Sequence, residues 1–128
     1  MASKQVLVMR NFGKNFRKGK YCAQAAHASL GAVFGIGHIE DDCLIIPLKN
    51  PFVREWITGR FTKIAVYVET EAELIEIHAQ AQQLNVATTL IRDSGITEFN
   101  GVPTLTAVGI GPDDSELIDT LTRHLPLF

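Results

Sequence analysis

Four short runs of apolar residues, at positions 5–10, 63–69, 86–91 and 105–110, punctuate the chain. Each is flanked by polar or glycine-containing sequence and places apolar side chains on both alternating faces, the pattern of strands covered on two sides. Between the runs the spacing changes. From Lys20 the sequence turns alanine-rich, with Ala23, Ala25, Ala26, Ala28 and Ala32 followed by Gly35 and Gly37. That predicts a helix whose small side chains let it approach a sheet closely and whose end is set by the glycines. Leu74, Ile77, Ala81 and Leu84 recur at helical spacing behind Thr70 and Glu73, a capping-box pair. Residues 52–58 predict a short helix anchored by Trp56. Asp113 and Glu116 form a second capping pair, opening a last helix with Leu117, Ile118 and Leu121 inward. Asn100-Gly101 is a two-residue turn signal. It would set Phe99 opposite Val102, Glu98 opposite Pro103 and Thr97 opposite Thr104, making the fourth strand antiparallel to the third. Residues 38–51 carry no readable period.

Strands alternating with helices predict an α/β fold: a three-layer single domain over residues 1–128, with a four-stranded mixed sheet covered by helices on both faces. The 128 residues, 46% of them hydrophobic with a net charge of −2, suit one ordered domain and exclude a disordered chain. A chain of this size buries enough surface to need neither a disulfide nor a metal staple. The opening residues lack the layout of a signal peptide. The longest stretch without a charge, 21–39, holds Gln24, two histidines and three glycines, too polar for a membrane span. The expectation is a soluble cytoplasmic protein with Cys22 and Cys43 as reduced thiols, Cys22 packing within its helix.

Charge is unevenly placed. Residues 1–39 carry six bases and no acid, whereas residues 40–128 carry six bases and 14 acids. Ligands of open α/β sheets collect beyond the carboxyl ends of the parallel strands. The loop 11–19 leaves the first strand there and feeds the first helix, whose N-terminal N–H groups favour anions. Lys14, Arg17, Lys18 and Lys20 surround that point, which indicates an anion site. Arg92-Asp93-Ser94-Gly95 leaves the third strand at the same end, so Asp93 can face Lys20 or serve only as a turn residue bonded to its own backbone. Thr97, Thr104 and Thr106 reach the same rim if the hairpin forms. His27, one turn after Gln24, reads as a buried, hydrogen-bonded histidine. His78 and His124 read as helix-surface residues. His38, Glu40, Asp41, Asp42 and Cys43 match no metal-ligand spacing and read as a solvated loop. No metal or cofactor is called for. Gly109-Ile110-Gly111-Pro112 has the wrong spacing for a phosphate loop and reads as a strand-to-helix turn.

Lys18-Gly19-Lys20 followed by Ala23-Gln24-Ala25-Ala26-His27-Ala28 resembles the opening of the archaeal and eukaryotic type of peptidyl-tRNA hydrolase, the second family of that name. Leu90-Ile91-Arg92-Asp93-Ser94-Gly95-Ile96-Thr97 resembles its Asp-Ala-Gly-x-Thr segment, with Ser94 in place of alanine. The run 106–112 resembles its last strand, and Thr122-Arg123-His124-Leu125-Pro126-Leu127 its terminus. Residues 35–51 lie outside the resemblance. It implies an enzyme, often dimeric, that hydrolyses the ester between a peptide and the terminal ribose of tRNA. Its proposed catalytic lysine, aspartate and two threonines fall on Lys20, Asp93, Thr97 and Thr106. On this reading Asp93 holds or deprotonates water. Lys20 and the helix N-terminus stabilise the oxyanion or the leaving ribose oxygen, and the threonines orient water or substrate. Arg10, Lys14, Arg17 and Lys18, with Gln24 and His27, are the candidate tRNA- and substrate-binding residues. Two other readings stay open: an RNA-binding module without catalysis, and a related small α/β enzyme or ligand-sensing domain.

Overall fold

A computed structural model describes residues 2–96 and 98–128. The chain runs β1 (Ser3–Arg10), α1 (Lys18–Phe34), β2 (His38–Glu40), β3 (Cys43–Ile45), α2 (Pro51–Thr58), β4 (Lys63–Val68), α3 (Glu71–Gln83), β5 (Thr88–Asp93), β6 (Thr104–Asp114) and α4 (Ser115–Thr122). Four strands form a mixed sheet in the order β4-β1-β6-β5, with β1 parallel to β4 and β6 antiparallel to both of its neighbours. Consequently β1, β4 and β5 all end at one edge of the sheet, where α1 begins and β6 starts.

The alternation of β1 distributes its side chains between two layers. Val6 and Val8 join Leu74, Ile77, Ala81, Ile118 and Leu121 of α3 and α4, while Leu7 and Met9 face Ala28 of α1. Helices thus cover both faces, as the apolar runs predict. The α1 face is unusually close. Ala28 and Ala32 are fully buried, and a Cβ on Gly109 would collide with the carbonyl oxygen of Ala28. That approach explains Gly109, which lies inside the long strand β6 rather than in a strand-to-helix turn.

The capping box of α3 forms as predicted: Thr70 Oγ1 accepts from the Glu73 N–H, and Glu73 accepts from the Glu69 N–H and the Thr70 hydroxyl. At α4 the cap is Asp114, which accepts from the Glu116 N–H. Asp113 instead turns inward and is buried. Residues 38–51 are not simply a loop. They hold the β2–β3 hairpin, turned by Asp41 and Asp42 at positive φ, and then Asn50, the N-cap of α2. Trp56 anchors α2, fully buried with Nε1 donating to the Thr62 carbonyl at 2.7 Å. Among the described residues no helix is long and apolar enough to cross a membrane.

Candidate active site

Lys20 and Gln24 stand one helical turn apart on α1, so their side chains project along one face toward the end of β5. Both reach Asp93. The Lys20 ammonium lies 2.7 Å from Asp93 Oδ2, and Gln24 Nε2 donates to the same oxygen at 2.8 Å. Oδ1 accepts from the Gly95 N–H at 2.7 Å. Behind them, the Thr106 hydroxyl donates to Gln24 Oε1 at 2.6 Å, and both residues are buried. Each group in this chain fixes the next: Thr106 sets the Gln24 amide so that its NH₂ points at the carboxylate.

The Asp93 carboxyl is held below its ordinary range, first by the Lys20 hydrogen bond and then by the Gly95 N–H; partial burial opposes them, and the Lys20 charge and Gln24 add to the lowering. Asp93 is therefore both a turn residue, through Gly95, and the partner of Lys20. The two sequence readings of it are compatible. The first turn of α1 contains no acid and includes Lys18 and Lys20. Cations are the wrong sign for that end of the helix dipole, and a bound anion would offset the cost.

The loops on either side are tied together. Arg17 is bonded to Glu98. Phe12 stacks on Phe16 with centroids 4.8 Å apart and packs against Phe99 at 5.0 Å, while Phe16 meets Tyr21 at 4.5 Å. This aromatic clasp and Glu98 escaped the sequence reading, although four rings in two site-flanking loops and the helix start were a usable signal. Lys14 and Lys18 are exposed. Arg10 is engaged elsewhere, 3.1 Å from Glu71 Oε1, donating to the Leu105 carbonyl and lying over the Phe12 ring.

The Asn100-Gly101 turn exists, with both residues at positive φ and the Val102 N–H donating to the Phe99 carbonyl at 2.9 Å. The ladder does not continue into it. The Gly101 N–H closes instead on the Gly95 carbonyl at 2.8 Å, and Thr104 pairs with Asp93. Thr97 itself lies outside the described residues. Thr104 spends its hydroxyl on the Val102 carbonyl. His27 is exposed rather than buried, as is Cys22, because α1 turns residues 24, 28 and 32 toward the sheet. His124 lies past the end of α4, and His78 is half-buried, 2.9 Å from the Thr88 hydroxyl. Among the described residues no group of three or more histidines, cysteines or acids is placed to hold a metal ion.

The family model for "Peptidyl-tRNA hydrolase PTH2" matches residues 3–128. The chain belongs to the PTH2 family. Proteins named peptidyl-tRNA hydrolase resemble it along nearly their whole length. That of Methanocaldococcus jannaschii is 39% identical over 125 residues, covering 97% of this chain and 98% of that protein. Those of Thermococcus onnurineus and Methanopyrus kandleri are each 37% identical, over 126 and 124 residues, covering 97% of this chain and 96% and 97% of the relatives. Within this PTH2 chain, the Lys20–Asp93 pair stands where the sheet topology sends both the start of α1 and the end of β5.

Proposed function

We propose that the protein is a peptidyl-tRNA hydrolase, an enzyme that cleaves the ester joining a peptide to the terminal ribose of tRNA. The observation that carries the reading is the buried-side network Lys20–Asp93–Gln24–Thr106 in a chain that belongs to PTH2 over residues 3–128. The reaction adds water oxygen to the ester carbonyl carbon, breaks the bond from that carbon to the ribose oxygen, and returns a proton to the ribose. Asp93, kept ionised, aligns the attacking water through its remaining lone pairs. Held low, it is a weak base, so it takes the proton only as the new carbon–oxygen bond forms. The Lys20 ammonium and the first N–H groups of α1 face the negative charge that grows on the carbonyl oxygen. Gln24 orients Asp93, and Thr106 acts through Gln24. Thr97 keeps the orienting role the family resemblance gives it.

Lys14, Arg17 and Lys18 would hold backbone phosphates without reading sequence. Arg10, already paired with Glu71, would support the loop instead. His27, exposed one turn beyond Gln24, is free to meet substrate on the same helix. The substrate goes with a cytoplasmic place of action. We further propose a homodimer, in line with the family resemblance and with Leu30 and Phe34 exposed along α1; sedimentation of the purified protein tests it. The decisive experiment incubates the protein with peptidyl-tRNA and, separately, with unblocked aminoacyl-tRNA, following ester cleavage. Cleavage of the first and sparing of the second is expected. Salt-sensitive binding without cleavage of either would replace the enzyme by an RNA-binding module.

A further inference from the structure

At the other end of the sheet lies a cavity of about 510 Å³, a volume within the roughly 300–1,000 Å³ of small-ligand sites. Thr88 opens β5 and lines this cavity, whereas Asp93 closes β5 and belongs to the Lys20 network. Five strand steps, about 17 Å, separate the two. Ala32, Ile36, Val53 and Pro112 supply apolar walls, and Asp113 and Lys49 supply charge of both signs.

Asp113 is the residue that needs explaining. It is only 7% exposed. Its Oδ1 accepts from the Asp114 N–H at 2.7 Å, but among the described residues Oδ2 has only a long contact of 3.5 Å from Asn50 Nδ2. Among the described residues no lysine, arginine or histidine forms an ion pair with it. A carboxylate taken out of water without a cation is costly, and a cationic donor entering the cavity would offset that cost. Lys49 is exposed and lines the same cavity, so the opposite end of such a ligand meets a positive charge. Gly35 and Ile36, past the end of α1, and Pro47, Lys49 and Asn50, just before α2, complete the lining. None of these residues belongs to the Lys20–Asp93–Gln24–Thr106 network at the other end of the sheet.

We infer that this cavity binds a small zwitterion with an apolar body, its ammonium on Asp113 and its carboxylate toward Lys49. A free apolar amino acid and a short apolar peptide share that chemistry. The test follows backbone amide signals of the intact protein during titration with four probes: L-leucine, the dipeptide Leu-Leu, isoamylamine, which lacks the carboxylate, and 4-methylpentanoate, which lacks the ammonium. Leucine or Leu-Leu should shift the signals of Ala32, Val53 and Thr88 saturably, with a Kd on the order of 1 mM or tighter, and the tighter of the two names the source. Isoamylamine should bind more weakly and 4-methylpentanoate not at all. Asp113→Asn should weaken the zwitterion about tenfold or more. Lys49→Glu, a change at an exposed side chain, should weaken leucine and strengthen isoamylamine, which keeps the inference testable if Asp113→Asn does not fold. No saturable shift with any probe, or 4-methylpentanoate binding as well as leucine, would overturn it. No tRNA enters the titration, so its outcome is independent of whether the protein cleaves peptidyl-tRNA.

Discussion

Asp93 and Asp113 are carboxylates near opposite ends of the sheet, and the fold treats them differently. Asp93 receives an ammonium, an amide and a backbone N–H, every donor supplied by the chain itself. Asp113 is buried more deeply, yet receives one N–H and a long amide contact. The first is a finished ion-pair network, the one we propose acts on the substrate. The second is a negative charge left for something else to neutralise. Surroundings follow suit: the bases Lys14, Arg17 and Lys18 crowd the Asp93 end, whereas Lys49 lines the cavity by Asp113. Burial alone therefore does not distinguish the two carboxylates; the donors that each receives do.

The comparison breaks most sharply at the finished end. Asp93→Asn is nearly isosteric and keeps an acceptor for Gly95 while removing the charge; Lys20→Met keeps the stem and removes the cation. Each should lower single-turnover cleavage by about 10²–10⁴-fold. The double variant should be little worse than the poorer single, since groups acting as one unit are strongly non-additive. Asp113→Asn should leave cleavage nearly unchanged. Near-normal cleavage by folded Asp93→Asn would reduce Asp93 to a turn residue.

A smaller effect is expected from the patch. Arg17 is already bonded to Glu98, so reversing Lys14 and Lys18 to glutamate is the cleaner test. Each lost phosphate contact should lower the log–log salt slope of tRNA binding by about 0.7–0.9. A double variant with the wild-type slope would place the RNA elsewhere.

These contrasts also show what the sequence made legible. The strands of the sheet and the α3 capping box could be read because their signals are local: apolar runs, and Thr70 three residues before Glu73. Lys20 and Asp93 could be brought together because topology alone sends the N-terminus of α1 and the end of β5 to one edge. The Gln24–Thr106 link could not, since it depends on the rotation of α1. The same rotation explains His27: with Gln24 and Ala28 facing the sheet, a residue one position before Ala28 is turned about 100° away. The β2–β3 hairpin left no trace because all six of its strand residues are exposed, so no alternation of burial is written into them. Neighbouring acids made the α4 cap ambiguous. Asp114 takes it because Asp113 is drawn inward beside Asn50, a contact 63 residues distant in the chain.

Between the two ends runs α1, and its closeness to the sheet can be tested separately from either carboxylate. Ala28→Leu adds bulk where the helix carbonyl already lies over Gly109. It should cost about 1–3 kcal/mol, read as a lower melting temperature. Ala26→Leu, on an exposed position of the same helix, should change melting little. Equal melting of the two variants would mean that the close face is not where Gly109 places it.

The smallest effect concerns acid. The folded-state pKa of Asp93 is depressed, chiefly by Lys20, relative to about 3.9 for an unfolded aspartate. A depressed carboxylate binds fewer protons folded than unfolded over that interval, so its stabilising contribution is fully present above the unfolded value. It is lost as pH falls through the folded one. Wild type and Asp93→Asn should therefore differ by a constant amount in unfolding free energy from neutral pH down to about 5. Below pH 4 the two curves should converge, because protonated Asp93 no longer attracts Lys20. Lys20→Met should also converge toward wild type there, since both curves lose the same pairing. Urea denaturation at several pH values measures the differences directly. A gap that stays constant to pH 2 would mean that ionised Asp93 stabilises the fold no more than the protonated acid does, and that the Lys20 pair contributes nothing to folding.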